Sequence, residues 1–219
     1  MAEFIVHSVP GSPFGRAALI ALEETGADYR FQMVAPGGMK SAEHLALHPF
    51  GRIPVLQHGD FTLYETQAIV RYVDRVAGGA RLSPSDPKAA ALMDQAMNIS
   101  DWYLFQGVGN VIGFQRIVGP RLLGITPDEA AIEAVMPRAR EVVAELARLL
   151  GDQPYFVGNQ MTLADVALAP QVDFLAMTPE GATLMAEAPQ LGQWLQRVNA
   201  RPSLQATTWE KVAAMAAAA

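Results

Sequence analysis

At 219 residues the chain is long enough to bury a substantial core, as one large domain or two modest ones, and its 51% hydrophobic and 17% charged residues are those of a globular protein. A formal charge of -6 without clustered Lys and Arg argues against a nucleic-acid partner, and the absence of cysteine excludes disulfides, thiolate metal sites and a protein thiol nucleophile. No apolar run reaches the roughly 18 residues that a bilayer span needs, and Met1-Ala2-Glu3 lacks the basic start of a secretory signal, so no membrane association and a cytoplasmic location are expected.

In chain order, Glu3-Phe4-Ile5-Val6-His7 reads as a first strand. Val9-Pro10-Gly11 then turns the chain into Ser12-Pro13, a helix start with a capping residue and proline at the first helical position. Apolar residues at Phe14, Ala17, Ala18, Ala21 and Leu22 form the stripe of that helix, and Gly26 ends it. Tyr29 to Val34 follows as a second strand, so strand, helix and strand imply a parallel pair with a right-handed crossover. Pro36-Gly37-Gly38 is a loop, and Ser41 to Leu47 a short helix.

The stretch His48-Pro49-Phe50-Gly51-Arg52-Ile53-Pro54-Val55-Leu56 leads through His58-Gly59-Asp60 into Phe61-Thr62-Leu63-Tyr64, two short apolar runs joined by a hairpin turn. Pro54 has no N–H for a ladder, so Ile53-Pro54 is expected on a sheet edge or at the first residues of its strand. There the Ile53 backbone could receive a peptide-like ligand; the alternative is a solvent-facing edge proline. Glu65 and Thr66 stand at the start of a helix with Ala68, Ile69, Tyr72 and Val73 on its apolar face. The unpaired N–H groups of a helix start suit a carboxylate, and Glu65 suits an ammonium. The plainer reading makes Thr66 an N-cap and Glu65 a favourable first-turn acid.

Strand signals stop near Gly78-Gly79, which sets a first domain at 1–79, a linker at 80–87 and an all-helical domain at 88–219. Leu92, Ala96, Ile99 and Tyr103 recur at helical spacing, beside Met93, Met97, Ser100 and Leu104. Thr126-Pro127-Asp128-Glu129 opens another helix with cap, proline and two acids, its stripe runs through Val135, Val142, Leu146 and Leu150, and Gly151 closes it. Thr162-Leu163-Ala164-Asp165 is similar to a capping box, before a helix that Pro170 should kink or break. Leu191, Trp194, Leu195 and Val198 mark one more helix, stopped by Arg201-Pro202, and Ala213 to Ala219 reads as helix fading into a disordered tail. His44 and His48 have the spacing of a helical metal pair but lack a third ligand, so no metal is expected. Gly107-Val108-Gly109 is half of a dinucleotide fingerprint with no strand before it, and carries no weight.

These motifs together resemble the cytosolic glutathione transferases over essentially the whole chain, most closely the phi class and its bacterial serine-type relatives. The resemblance lies in Ser12 ahead of Arg16 and Ala18-Leu19-Ile20-Ala21-Leu22, in Leu45 to Pro54, in Glu65-Thr66-Gln67-Ala68-Ile69, and in Thr162 to Asp165. It implies an α/β thioredoxin-like N-terminal domain followed by an all-α domain, a homodimer, a role in detoxification, and a cis Ile53-Pro54 bond. It further implies that glutathione is a co-substrate held by Ser12, Phe14, Lys40, Arg52, Ile53, Pro54, Glu65 and Thr66, with the γ-glutamyl end at Glu65 and Thr66 and the glycine carboxylate at Lys40. A hydrophobic electrophile would meet Phe14, Met39, Trp102, Tyr103, Gln106, Phe114 and Gln115, and Phe50 would dock in a partner subunit.

The chemistry to be supplied is activation of a thiol, whose ordinary pKa of about 8.5 leaves only a few per cent thiolate at neutral pH. A Ser12 hydroxyl donating to the sulfur beside a helix start would favour the anion, and Arg16 either adds positive potential or pairs with an acid. Ser8 is the rival hydroxyl, and a cap without catalytic duty is the rival role for Ser12. Met39, Arg52 and Thr66 depart from the His, Gln and Ser common in the phi class. Other activities on one fold are a glutathione-dependent lyase or peroxidase, or a non-catalytic glutathione-binding or partner-docking protein.

Overall fold

The computed structural model describes residues 3–218, with side chains to 217, so of the stretch from Ala213 to Ala219 expected to fade from helix into a tail, Ala219 lies outside the described residues. The residues form two compact units, one running to Pro84 and resumed from Asn199, the other Ser85–Val198.

In the first unit, β1 (Phe4–Ser8), α1 (Pro13–Thr25) and β2 (Tyr29–Met33) form the expected parallel crossover. A 3-10 turn at Gly38–Lys40 and α2 (Ala42–Leu47) precede the hairpin β3 (Val55–His58) and β4 (Phe61–Tyr64), after which comes α3 (Thr66–Val76). The sheet order is β2-β1-β3-β4, with β3 antiparallel to both neighbours. Each boundary has a local cause. Ser12 caps α1 with Pro13 at its first position, and Gly26 closes it at φ 69, where its N–H and that of Ala27 reach back to Glu23 and Leu22. Gly59 at φ 64 makes the hairpin turn.

Alternation along β1 buries Phe4, Val6 and Ser8, and the α1 stripe closes over the sheet with Ala18, Leu19, Ile20 and Leu22. Leu56 from β3 and Ile69 and Val73 from α3 complete this core, and each such aliphatic side chain contributes about 1.5–3 kcal/mol on leaving water. Because β3 is an inner strand, the edge expected along Ile53-Pro54 is not an edge of the sheet. The pair lies on the lead-in just before Val55, the second of the two positions that a proline allows.

The chain returns to this unit with α10 (Pro202–Ala206) and α11 (Trp209–Ala218), so Ala213 to Ala218 is helical. Arg201 grips Glu24 at 2.7 Å, and the Ser203 hydroxyl donates to the same carboxylate at 2.5 Å. Burial raises the Glu24 pKa, but the bonds from Arg201 and Ser203 outweigh it and hold the group below its ordinary value.

The second unit contains α4 (Pro87–Ile99), α5 (Asn110–Gly113), α6 (Glu129–Leu150), α7 (Leu163–Ala176), α8 (Pro179–Glu187) and α9 (Pro189–Asn199), the last ending one residue beyond it. Two wider π-type stretches, Ser100–Gly109 and Phe114–Leu123, flank α5. Of the two stripes offered for the first of these helices, the structure buries Met93, Met97, Ser100 and Leu104 and exposes Leu92 and Tyr103. Asp128, not Thr126, caps α6, accepting from the Ala131 N–H at 3.0 Å. α7 runs through Pro170 without ending there. All of its residues but Asp173 and Ala176 are buried, so packing on every side outweighs one missing backbone bond. No helix among the described residues is long and apolar enough to cross a membrane.

Candidate active site

Four loops that the sequence marks out leave the sheet at one margin. β1 ends at Ser8, and β2, parallel to it, ends opposite at Met33. β3 begins at Val55 beside His7, and β4 ends at Tyr64 beside Val55. The Ser12 corner, the Met39-Lys40 loop, the Ile53-Pro54 lead-in and the Glu65 junction therefore extend from the same end, where open α/β sheets place their ligands.

Ser12 sits at φ -70 and ψ 118, and its Oγ accepts from the Gly15 N–H at 3.1 Å. Capping occupies a lone pair of the hydroxyl and leaves its proton to be donated elsewhere. Ser12 and Phe14 are both half-buried, so a ligand can reach them. Ser8 is 0% exposed, and a Cβ built on Gly15 would lie 2.1 Å from the Ser8 Oγ. That hydroxyl is enclosed where α1 closes on β1, out of reach of a dissolved thiol. Arg16 lies one turn into α1, and its Nη2 donates to the Leu204 carbonyl at 3.2 Å.

Glu65 is neither a first-turn acid nor a side-chain cap. It occupies the N-cap position of α3 at φ 71 and ψ 115 with no capping bond, and its side chain is exposed. A non-glycine residue held there costs about 1–3 kcal/mol, and such strain clusters at ligand sites. Thr66 is the first helical residue and is buried, so the Thr66 cap reading is one position off. The Ile53–Pro54 bond is cis. Pro54 is buried and Ile53 half-buried.

The Met39-Lys40 segment lies directly on Gly51. At φ 60, Gly51 has no room for a side chain, since a Cβ there would meet the Met39 carbonyl at 2.6 Å and the Lys40 Nζ at 3.0 Å. Lys40 Nζ donates to the Phe50 carbonyl at 3.4 Å, and Met39, Lys40 and Arg52 are all exposed. His44 Nε2 donates to the Arg52 carbonyl at 2.7 Å, which fixes the turn from inside. His48 is 2% exposed and stacks on Tyr64 at a centroid distance of 4.5 Å, next to Glu65, with Phe50 edge-on to it. Burial lowers the His48 pKa, against the pull of nearby Glu65. The Phe50 ring itself is 65% exposed.

Two residues at this margin escaped the sequence reading. His48 entered as the first residue of the Pro-Phe-Gly stretch and as half of a metal pair, but not as an aromatic stacking partner of Tyr64. Trp209 gave no periodic signal; its ring lies over Gly11, with three ring carbons 2.7 Å from where a Cβ would stand.

In the second unit, Trp102, Tyr103 and Gln106 fall on the first π-type stretch, Phe114 and Gln115 on the second. Trp102, Tyr103, Gln106 and Phe114 are exposed, whereas Gln115 accepts from the Asp128 N–H at 2.9 Å and braces the start of α6. Tyr103 lies 5.1 Å beneath the Arg138 guanidinium and lines an open pocket of about 410 Å³ between α4 and α6, with Ile99 and Val142. Of the five residues expected to meet an electrophile in this unit, Tyr103 alone lines that pocket. Gly107-Val108-Gly109 lies inside the π-type stretch.

Comparison with known proteins follows the same two units. The model of the glutathione S-transferase N-terminal domain matches residues 2–75, and that of the C-terminal domain matches 129–197. A probable glutathione S-transferase, GSTF2, from Oryza sativa subsp. japonica is 32% identical over 186 residues, 84% of this chain and 86% of that protein. The structure of glutathione S-transferase-I bound with lactoylglutathione superposes with a TM-score of 0.84 at 28% identity, covering 98% of this chain and all of that one. A theta-class glutathione S-transferase from Xanthomonas axonopodis pv. citri, solved with glutathione bound, gives 0.80 at 28% identity over 95% of this chain and 98% of its own.

Proposed function

Because this chain belongs to the glutathione S-transferase family, as a phi-like glutathione transferase, we propose that its Ser12 hydroxyl is the group that holds the glutathione sulfur as a thiolate. The enzyme joins the sulfur of glutathione to a hydrophobic electrophile. Its catalytic task is to lower a thiol pKa of about 8.5 toward neutrality, where each unit corresponds to about 1.4 kcal/mol of selective stabilisation. Ser12 donates its proton to the sulfur and keeps its oxygen on the Gly15 N–H, so the remaining N–H dipoles at the start of α1 favour the anion too. The thiolate then attacks the electrophilic carbon, forming the S–C bond as the leaving group departs. The observation that carries this reading is the contrast between the two hydroxyls, Ser12 accessible and Ser8 enclosed.

The tripeptide is assigned to the shared sheet margin. Glu65 takes its ammonium, the N–H groups opening α3 and the Thr66 hydroxyl take the γ-glutamyl carboxylate, Ile53 takes the cysteinyl backbone ahead of Pro54, and Lys40 with Arg52 takes the glycine carboxylate. The strain at Glu65 and the cationic pair at Lys40 and Arg52 support this polarity. Phe14 and Met39, and in the second unit Trp102, Tyr103, Gln106, Phe114 and Gln115, are proposed as electrophile contacts. The same reading includes a homodimer docked through Phe50, a cytoplasmic location, a part in detoxification and kinship with bacterial serine-type enzymes. The 65% exposure of the Phe50 ring supports the docking role.

The test is the ultraviolet thiolate absorbance of bound glutathione against pH, with an activated aryl halide for turnover. Ser12→Ala is expected to raise the apparent thiol pKa by about one to two units and lower kcat accordingly. A wild-type value equal to that of the free tripeptide would overturn the assignment.

A further inference from the structure

The chain reaches Ser12 through a turn that should be its least constrained part. The Ser12 N–H bonds to the Val9 carbonyl at 3.2 Å, closing a four-residue turn with Pro10 second and Gly11 third at φ 83, the pattern of a type II turn. Pro10 and Pro13 stiffen the chain on either side. Between them Gly11, which has no Cβ, is the most adaptable residue of the turn, and rotation about its own φ and ψ would swing the Ser12 corner out of place.

The face of Gly11 is covered by Trp209. The site of a Gly11 Cβ is equally far, 2.7 Å, from Cδ2, Cε3 and Cζ3 of the indole, so the ring leaves no space above this residue. Trp209 is itself anchored. It opens α11, whose own Val212 is buried, and follows α10, whose Leu204 carbonyl holds Arg16. Farther along α1, Arg201 and Ser203 fasten the same returning segment to Glu24.

We infer that Trp209 is a positioning residue for catalysis, its ring locking the Gly11 turn so that the Ser12 hydroxyl points at the glutathione sulfur. The inference rests on the Ser12 reading above. It assigns part of the sulfur chemistry to the end of the chain rather than to the strand-helix junction alone.

The experiment uses the full chain with Trp209→Ala and Trp209→Phe, each alone and with Ser12→Ala. Bound glutathione is titrated by thiolate absorbance, and kcat, the KM for glutathione and Tm are recorded. Trp209→Ala is expected to raise the bound thiol pKa by about one unit, a tenfold loss of thiolate below that pKa, with kcat falling in step and the KM nearly unchanged. Trp209→Phe, which keeps a flat ring, is expected to restore most of the shift. With Ser12 already replaced, Trp209→Ala is expected to move the thiol pKa no further. A fall in Tm with an unmoved thiol pKa would overturn the inference, and so would an equal pKa shift in the Ser12→Ala background. Should Trp209→Ala not fold, Trp209→Leu takes its place under the same criteria. If Ser12→Ala alone leaves the thiol pKa in place, the Ser12 reading fails first, and the inference with it.

Discussion

Asp165 offers the sharpest quantitative test of the fold behind this site. Its carboxylate is fully buried and receives four donors: Oδ1 takes the Phe156 N–H at 3.0 Å and the Trp194 indole at 2.9 Å, and Oδ2 takes the Thr162 N–H at 2.8 Å and the Thr162 hydroxyl at 3.1 Å. Burial pushes the Asp165 pKa up, while the four donors resist that rise. Asp165→Asn keeps the shape but turns one oxygen into a donor, which must face two donors in either amide orientation. The cheaper orientation faces Thr162, whose hydroxyl can rotate away while its N–H cannot. One or two buried donors left unpaired cost about 1–3 kcal/mol each, partly offset by the lower cost of burying a neutral amide, so a net loss of about 2–4 kcal/mol is expected. For a chain of this size that corresponds to a Tm lower by roughly 5–15 °C. Urea unfolding followed by far-ultraviolet dichroism measures it, with Trp194→Phe as the variant that removes a single donor. A loss below about 1 kcal/mol for Asp165→Asn would show that other acceptors replace the carboxylate and that the network does not hold the second unit together.

Other outcomes follow from the first unit. Burial holds His48 and His7 neutral, with pKa values below the ordinary 6.5, so the unfolded chain takes up protons first and stability should fall as pH drops below about 6.5. His48→Asn should flatten that slope in pH-dependent urea melts, and an unchanged slope would remove His48 as a cause. Glu24 is held below its ordinary 4.5 by Arg201 and Ser203, so its contribution is present above that pH and is lost as pH falls through the lowered value. Hydrogen exchange in α10 and α11 should accelerate there, and Glu24→Gln should abolish the pH dependence. Glu65→Gly should raise stability by about 1 kcal/mol through relief of its φ of 71, yet weaken glutathione binding in calorimetry; unchanged affinity would refute its ammonium role. Phe50→Ala should lower the mass seen by light scattering to that of a monomer, and an unchanged dimer would exclude Phe50 as the key contact.

Local chemistry explains which elements were legible. Ser12-Pro13, Gly26, Gly59 and the Thr162–Asp165 capping box each act within four residues of themselves, and the structure has the helix start, helix stop, hairpin and helix opening where their residue types put them. Pro170 misled because its cost is local while the packing that outweighs it is not. The choice between the Leu92 and Met93 stripes depends on which face meets α7, and two adjacent apolar rows carry no sign of that. The inner position of β3 follows from pairing with β1 at long range, beyond what Ile53-Pro54 could reveal. The motif residues of the site were visible because they sit at strand ends and helix starts. Trp209 was not, because its contact with Gly11 joins opposite ends of the chain.

The order of synthesis gives that last contact a further meaning. Residues of the second unit are contiguous from Ser85 to Val198, whereas the first unit waits for the segment after Asn199. Domains commonly fold in the order they leave the ribosome. Here the earlier-made unit must finish later, so a chain broken off near its end would retain a folded helical middle and lack the indole that braces the serine corner. Newly made copies would thus reach the full lowering of the thiol pKa only once the segment carrying Trp209 has folded back onto the first unit.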